Sequence, residues 1–283
     1  KPKQNNKTAN PNEQQKHHNN SNTKQQKQTM AAVGNGYAPL ADPEAGLPDG
    51  SEPKSASLIS VADAQVRAGF VRKVYGILAA QLALTAAIAA PIAVGGPDYI
   101  KTHSGLMWSA FIGTWAFMFA IICCRQAMRE YPKNYIMLFG FTACTGILVG
   151  FASAVSSWQA VLLAVVTTAL VFCGLSVYAW TTNADFTGYG GYLCAAAMSL
   201  CFFSLIIGMC QLFGFPVRGM MVVYDFIGIL LFSCFIVYDT QVIMGGTHKV
   251  QFDIDEYIFA ALQLYLDIVD MFLFLLDLLN SRD

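Results

Sequence analysis

Charge is what this sequence has little of. Asp, Glu, Lys and Arg make up 12% of 283 residues, against roughly a quarter in soluble domains. Histidine is scarcer still: His17 and His18 stand near the start, and His103 and His248 are isolated. A zinc hydrolase working at a membrane face needs clustered ligands, and this placement argues against one. The sequence holds no G-x-S-x-G, P-loop or H-E-x-x-H pattern, so no enzymatic activity is indicated. None of the eight cysteines forms a C-x-x-C pair, and all fall within or at the ends of apolar stretches. They read as small apolar side chains in helix contacts. Cys123-Cys124 beside Arg125 carries a weak palmitoylation signal. No secretory signal peptide is visible, and the opening residue, Lys1, leads to the expectation of an upstream start. No cofactor and no nucleic-acid partner are expected.

What the sequence has instead is apolar length. Hydrophobic residues are 55% of the chain. Between Val74 and Leu279 they fall in seven blocks: Val74–Val94, Leu106–Cys124, Tyr135–Val155, Gln159–Ala179, Tyr189–Met209, Met220–Met244 and Tyr257–Leu279. A hydrocarbon core roughly 30 Å thick needs about 20 apolar residues per helix, so each block predicts one span. The expected fold is an all-α membrane protein with a seven-transmembrane-helix bundle at 70–283, and its first partner is the lipid bilayer. Trp158 and Trp180 flank the fourth block, where belt aromatics belong. Pro91 is expected to kink or end the first span. Recurrent Gly and Ala predict close helix contacts.

Residues 1–69 differ. They are rich in Gln, Asn, Lys, Pro, Gly and Ser and lack a long apolar run. Such a stretch cannot offset the entropy of ordering itself, so a disordered cytosolic tail is expected. Near the span ends, Arg67, Arg72, Lys73, Arg125, Arg129, Lys133 and Lys249 fall on one side, and Lys101, Arg218 and Arg282 on the other. The excess of positive charge predicts a cytosolic N-terminus. Seven spans then put the C-terminus outside; a re-entrant last segment, which Asp267, Asp270 and Asp277 make the least lipid-compatible, would return it to the cytosol.

A carboxylate at membrane depth usually faces a partner or a watery cavity. Asp239 lies about 7 Å inside the inner end of the sixth span, and Asp267 about 15 Å inside the seventh. The two helices run antiparallel, so side-chain reach lets these carboxyls meet. If they meet they cannot both ionise cheaply, and they share a proton. That makes a pH switch and, once both are charged, a transient site for a hard divalent cation such as calcium. Spacing alone leaves a second reading open, in which one Asp caps a helix or pairs with an Arg and the other lines a static polar patch. Asp270 is three residues from Asp267 and adds charge to the same cavity or faces elsewhere. Asp225, some 21 Å along the helix from Asp239, belongs near the outer mouth. Arg125 is the nearest countercharge on the inner side. Asp185 reads as a solvated turn residue.

The chain resembles the transmembrane Bax inhibitor motif-containing (Bax inhibitor-1) family, in its lifeguard branch. The matching stretches are Phe70-Val71-Arg72-Lys73-Val74-Tyr75, Cys123-Cys124-Arg125, Thr182-Asn183-Ala184-Asp185-Phe186-Thr187, Val237-Tyr238-Asp239-Thr240-Gln241 and Glu256-Tyr257-Ile258-Phe259-Ala260, running into Tyr265-Leu266-Asp267-Ile268. The resemblance implies a central last helix wrapped by six others. It also implies a pH-sensitive calcium leak with Asp239 and Asp267 as the paired acids, and a role in calcium homeostasis and inhibition of apoptosis at Golgi or endoplasmic reticulum membranes, with apoptosis-regulating membrane proteins as partners. Asp270 departs from the family pattern. Two other classes stay open: a non-conducting adaptor that restrains cell death through protein contacts, and a proton-coupled calcium antiporter, which the absence of an evident internal repeat disfavours.

Overall fold

The computed structural model describes residues 54–124, 130–245 and 249–281. Seven helices are long and apolar enough to cross a membrane: α1 Lys54–Thr102, α2 Ser104–Cys123, α3 Lys133–Ala154, α4 Trp158–Thr181, α5 Gly190–Leu212, α6 Arg218–Met244 and α7 Tyr257–Asn280. Single 3-10 turns, Thr187–Tyr189 and Ile254–Glu256, lead into α5 and α7. The spans expected from the apolar blocks all form. The last is a continuous helix of 24 residues, about 36 Å at 1.5 Å per residue, so it crosses rather than re-enters.

Two features of α1 differ from expectation. The helix begins at Lys54, twenty residues before the first apolar block, in a polar stretch with no run to signal it. It also continues through Pro91. The backbone leaves helical geometry at Gly96 instead, with φ 63° and ψ −164°. Glycine alone reaches that region cheaply, and the Pro97 ring crowds a helical conformation in the residue before it.

Helix α7 is the axis. In its most apolar window 61% of residues are buried, against 11% in α2 and in α5. The main core packs Phe70, Val74 and Leu78 of α1 and Leu138 and Phe141 of α3 against Ile258, Leu262 and Tyr265 of α7. A second cluster joins Ala160 and Ala164 of α4 and Ile236 of α6 to Met271, Leu275 and Leu276 of α7. Helices α1 and α3 touch closely at glycines: a Cβ on Gly150 would come within 3.1 Å of the Ala89 backbone and 2.9 Å of Ile92. Polar bridges tie α1 to both α3 and α7. Gln81 donates to Thr142 at 3.0 Å, and the Thr85 and Tyr265 hydroxyls lie 2.8 Å apart.

The outward faces carry large apolar side chains, including Trp108, Phe119, Leu170, Phe202 and Phe226. This is what lipid requires of a bundle surface. Six of the eight cysteines share that surface, contrary to the expectation of helix contacts; Cys144 is an exception and sits under Gly113.

Candidate functional site

The last turns of α6 read Tyr238-Asp239-Thr240-Gln241, and three of these four side chains turn into the bundle. Asp239 is 2% exposed, and Thr240 and Gln241 are fully buried. Gln241 ties the loop between α4 and α5 to α6. Its amide oxygen accepts from the Phe186 N–H at 2.7 Å, and its amide nitrogen donates to the Ala184 carbonyl at 2.8 Å. The loop braces itself through Asp185, which is half-buried rather than solvated and accepts from the Thr187 N–H and hydroxyl at 3.0 and 2.6 Å.

Across from Asp239 stands Asp267 of α7, 5% exposed. The two carboxyls lie within hydrogen-bonding reach of each other. The depth argument placed them about 8 Å apart along the axis, and side-chain reach closes the gap. Each keeps one oxygen without a partner, Oδ1 of Asp239 and Oδ2 of Asp267. Two carboxylates at this range repel unless a proton or cation sits between them. Among the described residues, no three acid, His or Cys side chains stand close enough to enclose a bare metal ion.

Asp270 lies on the same helix one turn on and still acts electrostatically on Asp267. Its side chain, however, lines a different cavity, together with Asp225 and Asp277. Three residues rotate a helix face by about 60° and advance it 4.5 Å, which is enough to carry Asp270 away from the pair. Asp225, 1% exposed, lies seven residues from the start of α6, toward the bundle end away from Asp239. Arg125 lies outside the described residues, as do Arg129, Arg282 and the tail through residue 53.

Arg67 is the residue that sequence reasoning passed over as one more inner-side cation. From the foot of α1 its guanidinium donates to the carbonyls of Val242 at 2.9 Å, Met244 at 3.0 Å and Phe252 at 2.7 Å. It also packs over the Phe70 ring, 4.8 Å from the centroid. Two of those carbonyls belong to the last turn of α6, where the helix leaves acceptors unsatisfied and its dipole is negative. At the same end, Lys73 of α1 lies 3.2 Å from the centroid of the Tyr257 ring at the start of α7. Helices α1, α6 and α7 are thus fastened together, three to five residues from Asp239 on α6 and ten residues from Asp267 on α7. No local pattern signals a contact that reaches 175 or more residues along the chain.

Comparison with known proteins settles the lineage. Residues 67–283 match the family described as inhibitor of apoptosis-promoting Bax1. The chain belongs to that family. It is 30% identical to protein lifeguard 3 of Mus musculus over 223 residues, 78% of this chain and 72% of the relative. Protein lifeguard 3 of Homo sapiens gives the same identity, with 71% of its length covered. Protein LIFEGUARD 4 of Arabidopsis thaliana is 33% identical over 228 residues, 77% of this chain and 87% of the relative. The Bax1-inhibitor membership gives this seven-helix protein a general membrane role in regulating apoptosis, and the family is one of non-catalytic membrane proteins. The match begins at Arg67, the clamp at the foot of α1.

Proposed function

We propose that the protein is a pH-sensitive calcium leak of Golgi or endoplasmic reticulum membranes, gated by Asp239 and Asp267. In this reading it regulates organelle calcium and thereby restrains apoptosis. The observation that carries it is the meeting of the two buried carboxyls from antiparallel helices, each with an oxygen left without a partner. A buried polar atom without a partner is costly. Its persistence in two facing acids fits a site that trades a proton for a cation. With the proton shared, α6 and α7 are held together at this end. Loss of the proton charges both acids, their repulsion loosens the helix ends, and calcium passes with the pair as a transient ligand set. The N-terminus is cytosolic in this reading, and Arg125 is assigned as a basic partner of the pair. Asp225 and Asp270 belong to the ion path.

The test is calcium flux in liposomes from pH 5 to 8. The expected result is a pH-dependent flux that Asp239→Asn and Asp267→Asn both alter. Background flux from all three folded proteins would favour the adaptor reading, in which the same acids only hold helices together. Proton counter-transport stoichiometrically tied to calcium would favour the antiporter.

A further inference from the structure

At the bundle end away from the Asp239–Asp267 pair, α3, α6 and α7 enclose a cavity of about 360 Å³. Asp225 of α6 and Asp270 and Asp277 of α7 all line it, with Ser156 and Asn280 adding neutral oxygens. The acids differ in depth. Asp277 is exposed and stands at the rim, Asp270 is half-buried, and Asp225 is 1% exposed. Asp225 and Asp277 are close enough to interact electrostatically. Oδ2 of Asp225 has no hydrogen-bond partner. Nor does a described cation neutralise the group: the ion pairs among the described residues are Lys101–Asp98 and Lys133–Glu130. Arg218, at the start of α6, is engaged by the Ser281 carbonyl at 2.5 Å.

An unpartnered carboxyl oxygen inside a three-acid cavity has two ways to be satisfied, a proton or a cation. The cavity is far larger than a bare ion, and no three of its acids stand close enough to enclose one. Two or three carboxylates plus water fill the coordination shell of calcium or magnesium, both of which accept water among their oxygen ligands. At the wall of the cavity α6 and α7 pack closely. Phe274 packs where a Cβ on Gly228 would come within 2.6 Å of its ring. The cavity is therefore a cup walled on this side by the α6–α7 packing.

We propose that this cup is a binding site for a partly hydrated divalent cation, held directly by Asp225 and Asp277, with Asp270 reaching it through water. As the antechamber of a leak it rests on the function proposed above; as a binding site it does not. Asp270 is the link, since it lines the cup and lies one turn from Asp267.

Terbium(III), a calcium stand-in, makes the site visible, because Tyr224 on the cavity wall can sensitise its emission. The full chain in nanodiscs is expected to give tyrosine-excited emission that calcium displaces. Tyr224→Phe dims the emission without weakening calcium competition. Asp225→Asn with Asp277→Asn weakens apparent affinity at least about tenfold, because affinity in oxygen sites follows the number of charged ligands. Asp98→Asn, which removes an exposed acid paired with Lys101 outside both acid sites, leaves it unchanged. Asp277→Asn alone, at an exposed position, keeps the thermal unfolding of wild type and still lowers affinity. Wild-type affinity in that single variant, absence of displaceable emission in wild type, or an equal loss of affinity in Asp98→Asn would each overturn the site. Intact binding in a protein that passes no calcium would leave the cup standing and remove the leak.

Discussion

Arg67 donates through Nε to the carbonyl of Met244 at 3.0 Å, joining the foot of α1 to the end of α6 across 177 residues. The same guanidinium reaches Val242 and Phe252, so one side chain satisfies three carbonyls on two segments. Planar, forked donors make this possible for arginine. A lysine ammonium is a point charge with no such spread. Arg67→Ala is expected to cost about 2 kcal/mol, the scale of hydrogen bonds from a charged donor, and Arg67→Lys to recover less than half of it. Thermal unfolding in detergent checks both; a lysine variant as stable as wild type would rule out the clamp.

Gly245 ends α6 with φ 60° and ψ −136°. A side chain there is strained by the backbone alone. Its Cβ would also collide with the Arg67 guanidinium and come within 2.6 Å of the Gln251 amide oxygen. Gly245→Ala is therefore expected to destabilise by about 2 kcal/mol or more, and part of that cost runs through Arg67. A double-mutant cycle with Arg67→Ala should be non-additive by at least about 0.5 kcal/mol. Strict additivity would mean that the backbone strain acts alone.

Gln241 needs both halves of its amide, one to donate to Ala184 and one to accept from Phe186. Gln241→Glu supplies two acceptors and faces the Ala184 carbonyl with a like partial charge. It should therefore lose stability on the scale of a buried unsatisfied group, about 1–3 kcal/mol, although it keeps the size of the side chain. Hydrogen exchange at the Phe186 and Thr187 amides should rise with it. Unchanged protection there would show that the loop is held by Asp185 instead.

The seven spans were legible because lipid imposes a length on every one of them, and seven apolar blocks of that length leave little choice. That Asp239 and Asp267 could meet was legible as well, because depth follows from residue count in a straight helix, although spacing alone left open a reading in which they do not. The start of α1 at Lys54 was not, since its first turns carry no apolar run. Nor was the break at Gly96: Pro91 looks like the stronger breaker, yet it is Gly96, next to Pro97, that leaves the helix. Asp270 was legible as an extra acid near the pair, but the 60° of helix rotation that turns it into the cup with Asp225 and Asp277 is a tertiary fact. Arg67 was least visible of all, because backbone carbonyls have no sequence identity.

The pair itself gives the sharpest prediction. Asparagine matches aspartate in shape and carries no titrating proton, so Asp239→Asn or Asp267→Asn fixes one partner as permanently neutral. Repulsion between the two side chains then disappears at every pH. If proton loss is what parts α6 and α7, either variant should hold the same flux from pH 5 to pH 8, while wild-type flux rises as the shared proton leaves. Stability separates this from simple damage. The variants should unfold at or above the wild-type temperature at high pH, where the native pair carries its full repulsion, and differ little from wild type at low pH. A variant less stable than wild type at high pH, with its flux still following pH, would mean that the two acids are structural glue and that the titrating gate lies elsewhere.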